Sequence, residues 1–255
     1  MTQSLNILVT GASRGIGASI VKALAGHRVV GHSSAGGDGH QRIGDAPDRQ
    51  GTSGGRSDPL IAADLADPQG ATALWWEAMS ALDGRIDVLV NNAGIFEAAP
   101  IASSDAEWEA NWERTLRVDL RAAADLCRLA VLHFKERGGG RIVNVASRAA
   151  YRGDSPDHWH YAAAKAGMVG MTKSIARAYA GEGIYAYTVC PGFTASEMVD
   201  DYLASRGGVG LLADIPLGRP AATAEIAEIV RWLAIDAPAS ATGAVIDANG
   251  ASFVR

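Results

Sequence analysis

Asn6-Ile-Leu-Val-Thr10-Gly11-Ala-Ser13-Arg14-Gly15-Ile16-Gly17, followed by an apolar-periodic segment to Leu24, decides the fold. A short apolar run, a glycine-rich turn and a helical pattern in succession read as strand, turn, helix. Glycine permits the tight turn and lets backbone approach a pyrophosphate, whose charge the N–H groups and positive dipole end of the following helix meet. The spacing is Gly-x-x-x-Gly-x-Gly rather than the commoner Gly-x-Gly-x-x-Gly. A glycine turn alone is also an ordinary strand-to-helix connection, but the flanking elements supply the context that a nucleotide site requires.

Outward from this unit, strand and helix patterns alternate, which builds a parallel sheet from right-handed crossovers. Strands are expected at Asn6–Thr10, Arg28–His32, Leu60–Ala63, Val88–Asn91, Arg141–Ala146, Tyr185–Val189 and Ala244–Asp247. Helices are expected around 16–25, 69–82, 105–137, 161–180 and 223–235, the third broken near Asn111. The fold class is therefore α/β: a single doubly wound Rossmann-type domain over residues 1–255, with a seven-stranded parallel sheet flanked by helices. From Ser33 to Asp58, glycine, serine, aspartate and proline dominate and no apolar period survives, so 33–58 reads as a flexible loop. The stretch 193–219 mixes Met198, Tyr202, Leu203, Leu211, Leu212 and Ile215 with glycines and reads as a mobile lid or, equally, a packed helix pair.

In Tyr161-Ala-Ala-Ala-Lys165, the spacing stacks a phenol and an ammonium on one helix face. A free phenol, with a pKa of about 10, is a poor acid or base at neutral pH unless a neighbouring cation favours the phenolate, and Lys165 supplies one. Read alone, the pair is equally a surface lysine beside a packed tyrosine. Ser147 follows the buried apolar run Arg141-Ile-Val-Asn-Val-Ala146, so its hydroxyl emerges at a strand's carboxyl end, where open α/β sheets bind ligands.

The chain has 255 residues, 48% hydrophobic and 20% charged, enough to bury a large core. No run of eighteen apolar residues and no basic start with an apolar signal segment is present, so a cytoplasmic protein with no membrane partner is expected. A net charge of −5 with scattered basic residues argues against nucleic acid. Cys127 and Cys190 are too few and too far apart for a disulfide framework or a cysteine metal site, and both sit in apolar stretches typical of reduced core thiols. His158 and His160 lack a third ligand nearby, so no metal is expected.

Along nearly its whole length the chain resembles the classical short-chain dehydrogenase/reductase family, in particular its 3-oxoacyl-acyl-carrier-protein reductase-like branch. The motifs are Thr10-Gly11-Ala-Ser-Arg-Gly15-Ile-Gly17, Asp64 after the third strand, Asn91-Asn92-Ala93-Gly94 after the fourth, Ser147, Tyr161-x-x-x-Lys165, and Pro191-Gly192 after the sixth. The resemblance implies hydride transfer between a nicotinamide and a carbonyl or secondary alcohol of a small-molecule substrate. Tyr161 then gives or takes the hydroxyl proton. Lys165 binds the nicotinamide ribose and lowers the pKa of Tyr161, and Ser147 holds the substrate oxygen. The implied cofactor contacts are Gly11, Ser13, Arg14, Gly15, Ile16 and Gly17 at the turn, with Asp64 and Leu65 bracketing the adenine. Asn91, Ala93 and Gly94 lie along the cofactor, and Pro191, Gly192, Thr194 and Ser196 lie beside the nicotinamide. For Thr194 and Ser196, helix capping is nearly as good a reading. A homotetramer, or a homodimer, is also implied.

Members of the family that prefer NAD usually carry an acid at the end of the second strand, where this chain has Ser33 and Ser34. These hydroxyls suit a 2′-phosphate and Arg14 offsets its charge, so NADP is expected. NAD remains possible if Asp38 or Asp45 of the long loop reaches the ribose. The chain departs from the family at Asp119, where an asparagine usually forms the fourth catalytic member. An amide donates and accepts, whereas an ionised carboxylate only accepts. Asp119 thus holds a water near Lys165, strengthens the lysine's charge, imitates the amide by staying protonated, or impairs the relay. Between Ser147 and Tyr161, Arg148 and Arg152 are candidates to clamp a substrate carboxylate, although a solvated loop or a subunit contact is the commoner use of such residues. Two alternatives stand beside the NADP-linked reading: an NAD-dependent sugar or polyol dehydrogenase, and a dinucleotide-binding sensor or partner subunit with impaired catalysis.

Overall fold

The computed structural model describes residues 4–34, 59–195 and 213–255. Its strands are β1 (Asn6–Val9), β2 (Arg28–Ser33), β3 (Leu60–Ala62), β4 (Val88–Asn91), β5 (Gly140–Val145), β6 (Ile184–Pro191), β7 (Thr194–Ala195), β8 (Ala221–Ala222) and β9 (Val245–Ala248). The helices are α1 (Gly15–Ala23), α2 (Gly70–Ala81), α3 (Asp105–Leu116), α4 (Ala122–Arg137), α5 (Ala149–Arg152), α6 (Trp159–Tyr179) and α7 (Thr223–Ile235).

Seven strands form one parallel sheet in the order β3-β2-β1-β4-β5-β6-β9, as expected from the alternating pattern. All-parallel sheets are covered on both faces, which is why their strands read as continuous apolar runs. Alternate residues of one run serve opposite cores. Leu8, Leu89 and Ile142 pack with Leu74 and Trp75 of α2 and Leu126 and Phe134 of α4, while Ile7, Val9, Val90 and Val143 pack with Ile20 of α1 and Ile226 and Val230 of α7. β1 pairs with both β2 and β4, so the chain order reverses there and leaves a crevice outside the strands' carboxyl ends.

Three elements differ from expectation. The long third helix is interrupted not near Asn111 but at Arg117–Arg121, one turn of π-helix between α3 and α4. Asn111 is tolerated in α3, with its Nδ2 donating to Ala98 O at 3.4 Å. The wider turn carries Asp119 into the interior, fully buried. α6 starts at Trp159, two residues before Tyr161, so the tyrosine stands on formed helix. The dipeptides β7 and β8 pair as a separate parallel ladder, Thr194 with Ala221, that joins the two ends of the expected lid. Residues 196–212 of that lid and 35–58 of the expected loop, with Asp38, Asp45 and Ser196, lie outside the described residues. Among the described residues, no helix is long and apolar enough to cross a membrane.

Candidate active site

The glycine turn is held from below by three side chains of neighbouring strands. Thr10, at the end of β1, accepts at Oγ1 from the N–H groups of Asn92 and Ala93, each at 3.0 Å. Asn92 returns its amide Nδ2 to the carbonyls of Thr10 and Gly11, also at 3.0 Å. His32 of β2 accepts the Gly11 N–H at Nδ1 (3.1 Å), and its Nε2 donates to Ala63 O (2.9 Å). That pattern fixes the tautomer with the proton on Nε2. Burial lowers the His32 pKa, which keeps the ring neutral and able to accept. None of these three side chains was named for the cofactor site from sequence. Each does its work through backbone one or two strands away, which no local pattern encodes.

The turn fits a dinucleotide. Gly11 and Gly15 take positive φ, 64° and 57°, and a Cβ on Gly17 would overlap the Gly11 carbonyl. α1 begins at Gly15, so its free N–H groups face the crevice side of the turn. Ser13 and Arg14 are exposed at that helix start, and Ile16 is half-buried against the core beneath it. Among the described residues no carboxylate pairs with Arg14, which leaves its charge available to an anion. Ser33 is buried at the end of β2 and Ser34 is exposed after it.

Several expected contacts are placed differently. The Asn91 side chain does not face the crevice: its Nδ2 donates to Asn144 Oδ1 at 2.8 Å and to Cys127 Sγ at 3.3 Å. Asn144 in turn donates to Thr172 Oγ1 at 2.8 Å, so a polar chain runs from β4 to α6. Strand alternation is the reason: Asn91 shares its face with Leu89, whereas Asn92, past the strand end, reaches the turn. The Leu65 side chain is buried in the core cluster with Trp75, while Asp64 is exposed, its Oδ1 accepting the Ala66 N–H at 2.9 Å. Thr194 is a β7 strand residue, not a helix cap, with Oγ1 donating to Gly192 O at 3.2 Å. Pro191 ends β6, and the Gly192 N–H donates to Ala248 O at 3.1 Å. Cys127 is buried within the Asn91–Asn144 polar chain rather than in purely apolar surroundings. Burial pushes both thiols up to about 12, so neither is a nucleophile at neutral pH.

Across the crevice stand the acid–base residues. Tyr161 lies near Ser147, which favours its phenolate, and Ser147 Oγ accepts the Ala149 N–H at 3.1 Å. Lys165 Nζ lies 5.5 Å from the Tyr161 ring centre, 3.5 Å from Val145 O and 3.4 Å from Asp119 Oδ2. Asp119 Oδ1 accepts the Ile95 N–H at 2.8 Å. Gly94 stands over the pair: a Cβ there would lie 3.1 Å from Lys165 Nζ and 3.2 Å from Asp119 Oδ2. Ala93 precedes it, its N–H bound to Thr10 as described. Phe96 walls the site, edge-on to Tyr161 at 4.9 Å and stacked on the buried His158 ring at 3.8 Å. Phe96 and His158 are a further pair that sequence reading did not place in the site.

Lys165 lowers the Tyr161 pKa, as expected, but it does not decide the net direction. Burial raises the phenol; Lys165 pulls it back and Asp119 pushes it up again, and the net direction is upward. Burial works against the Lys165 ammonium, but the Asp119 carboxylate with Tyr161 outweighs it and holds the lysine above its ordinary range. Arg148 and Arg152 are engaged by protein groups. Arg152 pairs with Asp214 at 2.6 Å, and Arg148 reaches the same carboxylate at 3.9 Å, donates to Ser252 Oγ and lies over the Phe193 ring at 4.4 Å. They tie β6's exit and the residues after 212 to the carboxyl-terminal segment.

A glycine cradle at the switch point of a doubly wound sheet, with a half-buried tyrosine and a buried lysine on one helix, defines a dinucleotide-dependent oxidoreductase. The chain belongs to the short-chain dehydrogenase family, whose model matches residues 5–207. It is thus an NAD(P)-dependent oxidoreductase acting on a carbonyl or the corresponding alcohol. Among its relatives is the 3-oxoacyl-acyl-carrier-protein reductase FabG of Escherichia coli K12, 33% identical over 249 residues, 97% of this chain and 96% of the relative. FabG of Staphylococcus aureus Mu50 is 33% identical over 256 residues, all of both chains. FabG of Thermotoga maritima is 37% identical over 167 residues, 66% of each.

Proposed function

We propose that the protein is an NADP(H)-dependent carbonyl reductase in which Tyr161 is the general acid, Ser147 positions the substrate oxygen and Lys165 binds the nicotinamide ribose. The observation that carries this reading is the buried Lys165 on the same helix as Tyr161, its Nζ 5.5 Å from the Tyr161 ring centre, with Ser147 near enough to influence the phenol. The nicotinamide, when bound, supplies or accepts the hydride. The protein holds and moves the proton: the Tyr161 hydroxyl donates to the carbonyl oxygen as charge develops there, and Ser147 donates a second hydrogen bond to that oxygen. Phe96 and the stacked His158 present an apolar wall that keeps water from the reacting carbon.

NADP over NAD is supported by the serines ending β2 and by the exposed Arg14, unpaired among the described residues, which together suit a 2′-phosphate; among the described residues, no carboxylate ends β2. Turn backbone at Gly11, Ser13, Gly15 and Gly17 would hold the pyrophosphate. Asp64 would meet the adenine, and Pro191, Gly192 and Thr194 the carboxamide. The relatives' names make a 3-oxoacyl thioester the first substrate class to try. A cytoplasmic homotetramer is part of the same reading. The test is titration with NADPH and NADH separately, following energy transfer from tryptophan to nicotinamide, then turnover of acetoacetyl thioester alongside a panel of other ketones. Tighter NADPH binding and reduction of the thioester support the reading; tighter NADH binding would overturn the cofactor assignment.

A further inference from the structure

Asp119 is the one site residue whose charge type departs from what an amide would supply, and the fold spends a π-turn to bury it. Its carboxylate is fully enclosed, Oδ1 fixed by the Ile95 N–H and Oδ2 facing Lys165 Nζ at 3.4 Å. That separation is longer than the 2.7–2.9 Å of an aligned charge-assisted hydrogen bond, so the contact acts chiefly through charge. A neutral amide would fill the same volume and accept the same Ile95 N–H, leaving the lysine's charge unopposed.

We propose that Asp119 is a positioning residue for the proton: ionised and paired with Lys165, it cancels the ammonium's pull on Tyr161 and keeps the phenol protonated well above neutral pH. This rests on Tyr161 being the acid of the reaction.

Burial raises the Asp119 carboxyl above its ordinary range, and the Lys165 ammonium 3.4 Å away and the Ile95 N–H oppose that and favour the carboxylate. Facing Asp119 is His160, fully buried, whose pKa burial lowers, so it is neutral at and above neutral pH. Facing Lys165 from β6 is Cys190, its thiol pushed up to about 12 and therefore uncharged. Tyr161 meets Ser147, and it meets His158 through the Phe96 ring. Asp154, in the segment between α5 and α6, adds a second negative influence of the same sign as Asp119 but is exposed and better screened. An anion beside the lysine raises the energy of the phenolate more than that of the phenol, and burial acts in the same direction. Tyr161 then carries its proton, as carbonyl reduction needs, up to alkaline pH. Alcohol oxidation, which needs the phenolate, rises about tenfold per pH unit through the same range.

The experiment reads the phenol directly and needs no substrate. Ultraviolet difference absorbance of phenolate is recorded against pH for the cofactor-free protein, with Tyr161→Phe as the blank that isolates this tyrosine. The wild-type midpoint is expected at or above that of a free phenol, about 10, leaving under about a tenth ionised at about pH 9. Asp119→Asn is expected to lower the midpoint by about one unit, so that about half is ionised at that pH. A wild-type midpoint clearly below a free phenol's, or an unchanged or higher midpoint in Asp119→Asn, overturns the proposal. Should Asp119→Asn fail to fold, Asp119→Ser, which also removes the charge, is expected to lower the midpoint likewise, and an unchanged or higher midpoint there overturns the proposal. Retained turnover in Tyr161→Phe would instead refute the functional reading, whatever the midpoint.

Discussion

Replacing His32 by leucine removes the brace of the glycine turn with little change in volume. The imidazole accepts the Gly11 N–H at 3.1 Å and donates to Ala63 O at 2.9 Å, at a site 2% exposed. Leucine satisfies neither group, and each part-buried orphan costs about 1–2 kcal/mol, the lower part of the range for buried groups, so His32→Leu should lose about 2–4 kcal/mol. For a chain of this length that lowers Tm by roughly 5–15 °C. The deficit should depend on pH. The folded pKa of His32 lies below its unfolded value because burial penalises the cation. Above about pH 6.5 both states are neutral and the full deficit is seen; below it the unfolded wild-type chain takes a proton that the native state refuses. Wild-type stability therefore falls with pH by up to about 1.4 kcal/mol per unit for this group, and the leucine variant lacks that loss. Thermal unfolding followed by tryptophan emission between pH 5 and pH 8 should show the gap narrowing toward acid. NADPH binding should weaken severalfold as the turn loosens. An unchanged Tm, or a gap that widens toward acid, would refute the reasoning.

Gly94→Ala places a methyl against the tip of Lys165 and against Asp119, at 3.1 and 3.2 Å. Turnover should fall about tenfold or more, since a displaced catalytic group is costly, while Tm changes little because a lysine tip yields. Arg14→Ala should weaken NADPH about tenfold or more through loss of a charge-assisted contact and leave NADH within about twofold, as paired titrations would register. Cys127 and Cys190, buried with thiols near 12, should resist a maleimide in the native protein at neutral pH and react after denaturation; rapid native labelling would contradict their placement.

Most of the sheet was legible because each strand is buried on both faces and therefore reads as an unbroken apolar run bounded by turn residues. Val88–Asn91 was found to the residue, and β1, β2, β3, β5 and β9 within one at each end. The tyrosine, the lysine and the glycines were legible for the same local reason, since their spacing lies within one element. The π-turn was not, because its Asp119 meets Ile95, twenty-four residues away in sequence, a contact no local pattern in Arg117–Arg121 reveals. Thr10, His32 and Asn92 escaped because they act on backbone of other strands. Asn91 and Leu65 belong to the motifs by position, but strand alternation and the neighbouring core, which a motif does not encode, turn their side chains inward. Arg148 and Arg152 looked free for a ligand until Asp214, over sixty residues away in sequence, took their charge.

The most direct measurement of the central claim is Tyr161→Phe assayed for cofactor binding and turnover on the same preparation. The account predicts an NADPH dissociation constant within a few-fold of wild type, an unchanged fold by circular dichroism, and a loss of about 10²–10⁴ in kcat/KM for ketone reduction. Turnover near the wild-type rate in a folded, NADPH-binding Tyr161→Phe would contradict it.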